Sequence, residues 1–462
     1  MGGGGSKRLT ALKRFGQNLT EAEKQLVNNC FDSISCSKES ETFSQDQFNT
    51  YVNRLRLSLP SEFTSRLFQT LCHEGTSHVT FASFVSGLSL LLKELNGASL
   101  HRLCGGPALT LLRFEEHLAV FINVALQSEI AQIVFPHFKQ WQPAPQATTA
   151  RLSEYLTRSL LESSETSDPT KTVSPMELDR WLRSCSLGYQ LVKLTITYTF
   201  CHEAILPDPT AAPRDVRAHL GMEGCEHALL PLKIQHPLFK EDFPSALLDQ
   251  CSWTFLNSCF PSHLKGKVYP LFSSIRHGQS FTTFCRQLLV RGPTLLVIKD
   301  TGGNVFGGFA ADSWRYGPQF IGSANCFLYS LHPTMGAYYP TGYNDNYMYL
   351  QQNAQTLPNG LGMGGQLNYF GLWISAEYGT GHSKAAPKCS TYGSPVLSHQ
   401  DEFHIDVLEV WGVGEPVIPE AEEGGEASIL DKDKGATAIL ELAGKTRHSQ
   451  GLREQDTTLK DS

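Results

Sequence analysis

The 462-residue chain is long enough for about two or three domains, and 41% of its residues are hydrophobic, as in ordinary folded proteins. Its formal net charge of −7 argues against nucleic-acid binding, because no basic face dominates. The 12 cysteines occur singly, without CxxC pairs, which is typical of free thiols in a reducing cytosol. We expect no metal and no cofactor. No apolar run reaches the ~18–20 residues of a transmembrane helix, so we expect a soluble protein or one anchored without a span.

The first residues match the pattern for N-myristoylation, with Gly2 as the acceptor and Ser6 at the favoured position. A single myristoyl chain binds membranes only marginally, so a second signal is needed. Four basic residues could supply it by facing anionic lipid, namely Lys7, Arg8, Lys13 and Arg14. We expect residues 1–17 to be flexible, and the alternative to acylation is that GGGGS is a plain linker sequence.

Residues 18–141 are predicted to be a helical region with EF-hand-like packing. Thr20 and Glu23 form a capping box that begins the first helix. Helix–loop–helix patterns follow around residues 42–44 and around residues 79–81, and a third candidate runs from 152 to 182. Residues 142–205 are predicted as a helical extension.

The loops of these repeats lack the ligands that calcium needs, which are oxygens at the first, third, fifth and twelfth positions, with glycine at the sixth. The first loop places Cys36, Lys38, Ser40, Glu41 and Gln47 there, and the second places Cys72, Glu74, Thr76, Ser77 and Ser83. The third loop offers Asp168 and Glu177, but Lys171 replaces the glycine. We therefore expect a helical module that keeps the packing and does not bind calcium tightly.

After a predicted linker at residues 206–237, strand and turn signals alternate. An apolar helical segment at 283–290 precedes the β-branched run 294–299, which suits a buried strand. Residues 300–304 contain two glycines that suit a tight hairpin, and 305–310 is the returning strand. A further strand is expected at residues 325–331.

These elements and their motifs resemble the TLDc domain family. The motifs are HG.SF at 277–281, TLLVIKD at 294–300, FGGF at 306–309, GYN at 342–344, the glycine cluster at 360–365, FGLW at 370–373, CSTY at 389–392 and FHIDVLEVWG at 403–412. The resemblance implies a β-sandwich flanked by helices over residues 238–413. The whole chain is thus predicted as α+β: an EF-hand-like all-α region, a TLDc β-sandwich flanked by helices, and a C-terminal helix on a flexible linker.

The glycine cluster at 360–365 superficially matches a phosphate-binding loop. It precedes an expected strand at 367–375, whereas phosphate loops begin a helix whose amides hold the anion. We predict a sharp loop between strands.

A nucleophile and base are also conceivable at Ser280 and His277, but no orienting carboxylate or GxSxG turn accompanies them. We expect His277 to make a structural hydrogen bond and Ser280 to cap the following helix. The family's association with oxidation resistance makes Cys285, Cys326 and Cys389 candidate redox residues. Cys285 lies in an apolar helical pattern and is expected to be buried.

The family resemblance further implies binding to the catalytic (V1) sector of the vacuolar proton-pumping ATPase, near its B subunit and peripheral stalk, without enzymatic activity. Loops are the natural place for such contacts. Our candidates are Asn304, Asn344, Asp345, Asn346 and Met363. The whole-chain layout resembles a lysosomal branch of the family linked to mTOR signalling, so we expect a cytoplasmic protein on the lysosomal membrane.

The tail is predicted to hold an acidic linker at 414–427, a helix at 428–444 and a final segment at 445–462. The helix would be apolar on a wide side and marginal alone in water. It is expected either to dock on its own TLDc domain or to bind a partner groove, the partner-binding candidates being Ile429, Leu430, Ile439, Leu440 and Leu442.

The leading hypothesis is a non-enzymatic adaptor that binds the proton pump at lysosomal membranes. Two other classes remain open from the sequence. One is a redox-protective enzyme that uses a TLDc cysteine, and the other is a calcium-responsive sensor.

Overall fold

The computed structural model describes residues 3–37, 40–73, 75–161, 168–200, 229–237, 242–385 and 387–417. Residues 1–416 form one unit and residues 417–462 a second. The predictions for Gly2, for the linker segment 206–228 and for the tail helix with Ile429, Leu430, Ile439, Leu440 and Leu442 therefore lie outside the described residues.

The N-terminal half consists of helices joined by short turns. They are α1 (Gly3–Phe15), α2 (Glu21–Ser35), α3 (Gln45–Arg54), α4 (Ser61–Leu71), α5 (Phe81–Lys93), α6 (Gly97–Cys104), α7 (Leu111–Gln127), α8 (Glu129–Val134), α9 (Gln146–Arg158), α10 (Pro175–Ser184) and α11 (Ser186–Phe200). Short 3-10 turns lie at Gly106–Ala108 and Pro136–Gln140.

Capping boxes fix where several of these helices begin. Thr20 accepts a hydrogen bond from the amide of Glu23, whose carboxylate accepts one from the amide of Thr20, as the sequence predicts. The same reciprocal pair recurs between Ser44 and Gln47 at α3 and between Ser174 and Glu177 at α10. Each box satisfies amides that a helix cannot bond internally.

The two N-terminal helix–loop–helix repeats are joined through a two-stranded ribbon. Strands β1 (Thr42–Ser44) and β2 (His78–Thr80) pair antiparallel, with Phe43 opposite Val79. This pairing of loops is how EF-hand-like repeats form a unit, so the predicted packing is present.

Helix α11 passes through the middle of this half and is buried along most of its length. Its last residue, Phe200, packs against Phe48 of α3 and Phe84 of α5, with ring centroids 6.1 and 6.0 Å away. The Tyr51 hydroxyl donates a 2.9 Å hydrogen bond to the Thr199 carbonyl. The chain's own helix therefore fills the apolar side of the EF-hand-like unit.

The expectation that no segment is long and apolar enough for a membrane span is wrong by length and composition alone, since residues Leu111–Val134 would suit one. In this fold the segment is two helices, α7 and α8, separated at Ser128, whose hydroxyl caps α8. Because 56% of its most apolar window is buried within the protein, the segment has the burial of a core helix.

The C-terminal half is dominated by β-strands. They are β3 (Leu232–Lys233), β4 (Lys267–Ser273), β5 (Thr294–Asp300), β6 (Val305–Ala310), β7 (Phe327–His332), β8 (Gly336–Tyr338), β9 (Met348–Gln351), β10 (Gly360–Gln366), β11 (Tyr369–Ser375), β12 (Thr380–His382) and β13 (Glu402–Val413). The helices here are α12 (Gln250–Cys259), α13 (Ser274–His277) and α14 (Phe281–Leu288), with a 3-10 turn at Ser262–Leu264.

Strands β3 to β13 form one 11-stranded sheet centred on β13. One edge of β13 pairs with β5, and the other pairs first with β12 and then with β4. Every pairing is antiparallel except that of β3 with β4. The segment 229–237, inside the predicted linker, therefore contributes a short strand to the domain.

The sheet folds over so that its two halves face each other. Leu296 and Ile298 of β5 share a hydrophobic cluster with Met363 of β10 and Leu372 of β11. The alternate residues of β5, such as Leu295, pack in the cluster formed by the helical half. Both faces of β5 are therefore buried, which explains its continuous apolar run.

Three tryptophans join the helical half to the sheet. Trp141, Trp253 of α12 and Trp411 of β13 lie with ring centroids 4.8 to 5.7 Å apart. Beside them, the buried carboxylate of Glu409 accepts hydrogen bonds from Ser245 and from the Trp411 indole. Burial raises the pKa of Glu409, while these bonds oppose the rise.

The mixed α+β prediction, with helices before a TLDc-type β-structure, is confirmed. The expected loop at 360–365 is wrong, since these residues form strand β10 between β9 and β11. A Cβ atom at Gly362 would lie 2.5 Å from the Phe370 ring, and one at Gly360 2.3 Å from the Ile374 carbonyl. The glycines let a strand pass directly beneath the side chains of β11.

Candidate functional site: loops of the TLDc half

The N-terminal segment expected to be flexible is helix α1 from Gly3. Arg8 donates to Asp32 at 2.7 Å and to the Ser40 carbonyl at 2.8 Å, and its guanidinium lies about 5 Å from the ring centres of Phe31 and Phe81. A further ion pair joins Lys7 to Glu41 at 2.8 Å. Two of the four predicted lipid-facing cations therefore bind the protein's own surface.

The third calcium-like loop uses its acidic residues internally. The Glu177 carboxylate accepts from the Ser174 amide and hydroxyl, and the Lys171 ammonium lies 3.2 Å from its other oxygen. Asp168 accepts from the amide and hydroxyl of Thr170. Across the described ranges, no group of three or more His, Cys, Asp or Glu residues is arranged to hold a metal ion.

The three candidate redox cysteines of the TLDc half are buried, with at most 3% of each residue exposed. Burial raises the pKa of Cys285 to about 12 and also raises the pKa of Cys326. Because the thiolate is the reactive form, these settings disfavour reaction with peroxide. The predicted burial of Cys285 is confirmed.

The predicted structural roles of His277 and Ser280 are confirmed. The His277 ring bonds the backbone of Ser273, and its centroid lies 5.4 Å from that of Phe272. The Ser280 hydroxyl accepts from the Thr283 amide at the start of α14. Both groups maintain local structure.

The Asn304 candidate lies on the predicted β5–β6 hairpin, which the structure contains. The backbone N–H of Asn304 donates to the Asp300 carboxylate at 2.8 Å, and the other Asp300 oxygen accepts from the Ser398 hydroxyl at 2.5 Å. Asp300 is 2% exposed. A buried carboxylate thus fixes the hairpin, and Asn304 remains half-buried at its end.

The Asn344 and Asn346 candidates hold a long β8–β9 connection in place. Asn344 accepts from Thr391 at 2.6 Å and donates to Ser390 at 3.2 Å. Asn346 donates to the Gly365 carbonyl at 2.7 Å. Both side-chain amides are half-buried and bond to other residues of the protein, so their geometry is that of positioning residues.

Within the same connection, Asp345 is exposed, and its carboxylate accepts from the Tyr347 hydroxyl at 2.9 Å.

Met363 is a wrong candidate, because it lies in β10 and not on a loop, and it is 0% exposed. Its sulfur lies against Gly308 in the opposing half of the sheet. Met363 is a core residue and is unavailable to a partner.

Sequence reasoning missed the most exposed aromatic residues of this connection. Tyr343 is 82% exposed and Tyr339 is 50% exposed. The available signal was compositional: tyrosine, proline, glycine and asparagine crowd residues 339–346 without strand or helix periodicity. The structure brings Asn344, Asp345 and Asn346 together in one segment, whereas Asn304 belongs to a different hairpin.

The comparisons with known proteins agree with this architecture. The TLDc domain family model matches residues 241–414. The human MTOR-associated protein MEAK7 is 33% identical over 477 residues, an alignment that covers 97% of this chain and 99% of that protein. The chain belongs to the MEAK7 group of TLDc-domain proteins.

Other relatives of this TLDc chain align over shorter stretches. The chicken MTOR-associated protein MEAK7 is 53% identical over 210 residues, and the alignment covers 45% of this chain and 44% of that protein. Chicken nuclear receptor coactivator 7 is 32% identical over 169 residues, covering 36% of this chain and 18% of that protein. The TLDc resemblance read from the sequence motifs is therefore confirmed.

Proposed function

We propose that this chain is a non-enzymatic adaptor that binds the V1 sector of the vacuolar proton-pumping ATPase through its TLDc domain and its C-terminal helix at 428–444. The observation that carries the proposal is the contrast within the TLDc half. The candidate cysteines are buried and His277 and Ser280 bond to the backbone, while a hydrogen-bonded connection presents tyrosines to solvent. Such a surface suits recognition better than catalysis.

The second part of the proposal is a link to mTOR signalling at the lysosomal membrane. The link to mTOR is supported by the name of the human relative that aligns over 97% of this chain, MTOR-associated protein MEAK7. A myristoyl group on Gly2 would add membrane affinity, and the exposed Lys13 and Arg14 on α1 could face anionic lipid. Replacing Gly2 with alanine should abolish the mass increase of acylation and release the chain from lysosomal membranes.

The test of pump binding is a pull-down of purified V1 by the full chain and by a chain that ends at residue 427. We expect the full chain to retain V1 and the shortened chain to retain less, because a second tethered contact raises avidity. Equal retention would exclude the tail helix as a contact. The absence of any retention would exclude the adaptor function.

The redox alternative makes a different prediction. If a TLDc cysteine reduced peroxide, replacing Cys285, Cys326 or Cys389 by serine would abolish that activity. Their burial leads us to expect no cysteine-dependent peroxide reduction by the native protein.

The calcium alternative predicts that calcium raises the melting temperature. We expect no such rise, because the Glu177 carboxylate already contacts Lys171 and Ser174.

A further inference from the structure

The β8–β9 connection carries an exposed aromatic surface on a firmly held backbone. We call residues 339–345 the tyrosine loop. Within it, Tyr339, Thr341, Gly342, Tyr343 and Asp345 are exposed. A tyrosine that is 82% exposed gains little from the protein's own core, and its ring is available to a partner.

The loop is held by hydrogen bonds to the exposed Ser390 and the buried Thr391 of the same domain. Thr341 donates through its amide to the Thr391 carbonyl and through its hydroxyl to the Ser390 carbonyl, both at 2.7 Å. Asn344 completes the attachment through Thr391 and Ser390. Thr391 is 0% exposed and donates to Asn344 while accepting from the Gly365 amide, so it links the loop to β10.

This arrangement reduces the entropic cost of binding. Ordering a free loop in a complex weakens affinity, whereas a loop already fixed by internal bonds has little conformational freedom to lose. Tyrosine adds a large amphipathic surface with few rotatable bonds, and tyrosine, glycine and asparagine are the residues that rigid protein-binding loops favour. The tyrosine loop combines these properties.

We propose that the tyrosine loop is the binding hot spot of the TLDc half, and that Tyr343 enters an apolar cleft on a folded protein whose rim carries a lysine or arginine facing Asp345. The proposal rests on the proposed function, since the V1 sector is taken as the partner. The exposed carboxylate favours a basic protein rim and disfavours an anionic membrane surface.

The roles within the loop differ. Tyr343 is the anchor, and Asp345 steers the encounter through its charge. Asn344 is a positioning residue, because both ends of its amide bond to the segment beneath the loop. The matched control is Tyr369, which is 62% exposed but belongs to the β10–β11 hairpin, with the Lys384 ammonium 5.5 Å from its ring centre.

The experiment measures association and dissociation of purified V1 with the full chain. We expect Tyr343→Ala to raise Kd by about 30-fold, chiefly through faster dissociation, since that is the scale of a hot-spot truncation. Tyr343→Phe should bind within about 3-fold of the wild type, and Tyr369→Ala within about 2-fold. Asp345→Asn should slow association at low salt and reduce its salt dependence.

The positioning role of Asn344 is tested by combining its substitution with that of Tyr343. Asn344→Ala alone should weaken binding, but adding it to Tyr343→Ala should cause no further loss, because its contribution acts through Tyr343. Unchanged melting temperatures would show that each variant is folded.

Wild-type binding with an unaffected Tyr343→Ala variant would overturn the hot-spot proposal while leaving the adaptor function intact. No wild-type binding would overturn both. Equal losses for Tyr343→Ala and Tyr369→Ala would also contradict an anchor at this loop. Tyrosine-dependent binding to phosphatidylserine vesicles would assign the loop to a membrane instead and overturn the protein partner.

Discussion

At the scale of single residues, the large side chains of β11 explain why the neighbouring strand β10 contains glycine. A Cβ atom at Gly362 would lie 2.5 and 2.6 Å from two ring atoms of Phe370, and Trp373 lies 3.0 Å away on the same side. Both rings are almost completely buried. There is no room for even a methyl group without moving β11.

We therefore expect Gly362→Ala to lower the free energy of unfolding by about 1–3 kcal/mol, the range for overpacked cores. Gly317→Ala is the matched control, because a Cβ atom there would meet nothing within 4 Å. Urea denaturation of both variants would measure the difference. Equal stabilities would show that β10 and β11 are not packed as described.

A second residue-scale consequence concerns pH. Burial, with the nearby charge of Lys384, lowers the pKa of His382 to about 4, and the ring stacks on Trp373. The unfolded chain, with an ordinary pKa of 6.5, therefore takes up the proton first. Stability from the neutral ring is present above pH 6.5 and is lost as the pH falls from there towards about 4.

The variant His382→Phe keeps an aromatic ring and removes this titration. Between pH 7 and about 4.5, it should lose less free energy of unfolding than the wild type does. Denaturant melts at both values measure that loss. An identical loss in the two proteins would mean that His382 is accessible to protons in the folded state.

At the scale of elements, sequence patterns predict the helices and turns that nearby residues determine. They miss the elements that depend on contacts with distant residues. The capping boxes and the hairpin at 300–304 follow from nearby residues, and both are present. The strand at 360–366 depends on rings that the sequence places on a later strand. The docking of α1 likewise depends on Asp32 and Ser40, far along the chain from Arg8.

The residues of the candidate site show the same difference between local patterns and contacts made in the assembled fold. The sequence correctly placed Asn344, Asp345 and Asn346 on a connection between strands, because polar residues between strands are a local pattern. It could not separate bonded amides from free ones, and it missed Tyr343, since exposure is a property of the assembled fold. Met363 was predicted to lie on a loop because residues 360–365, which form strand β10, were predicted to be a loop.

The Arg8 contacts give an element-scale prediction. Arg8→Ala should loosen α1 from the EF-hand-like unit, because a half-buried ion pair and two ring contacts are lost. Faster hydrogen exchange across residues 3–15 would measure this. Lys13→Ala is the control, since Lys13 is exposed on the same helix, and comparable exchange in both variants would contradict the role of Arg8.

At the scale of the whole molecule, the helical half and the folded-over sheet are joined through side chains with little freedom. The tryptophan cluster lies at this junction, and Arg158 of α9 donates to the Met335 carbonyl at 2.9 Å beside β8. Helix α11 packs through Phe200 against aromatic rings of α3 and α5. In the proposed function, the helical half is a fixed support and the TLDc loops provide the surface for recognition.

The most direct test of this account is the equilibrium affinity of the full-length chain for purified V1, measured at physiological salt with and without calcium. The account predicts saturable one-to-one binding that calcium leaves unchanged and that needs no substrate turnover. Absence of binding, or binding that appears only when calcium is added, would contradict it.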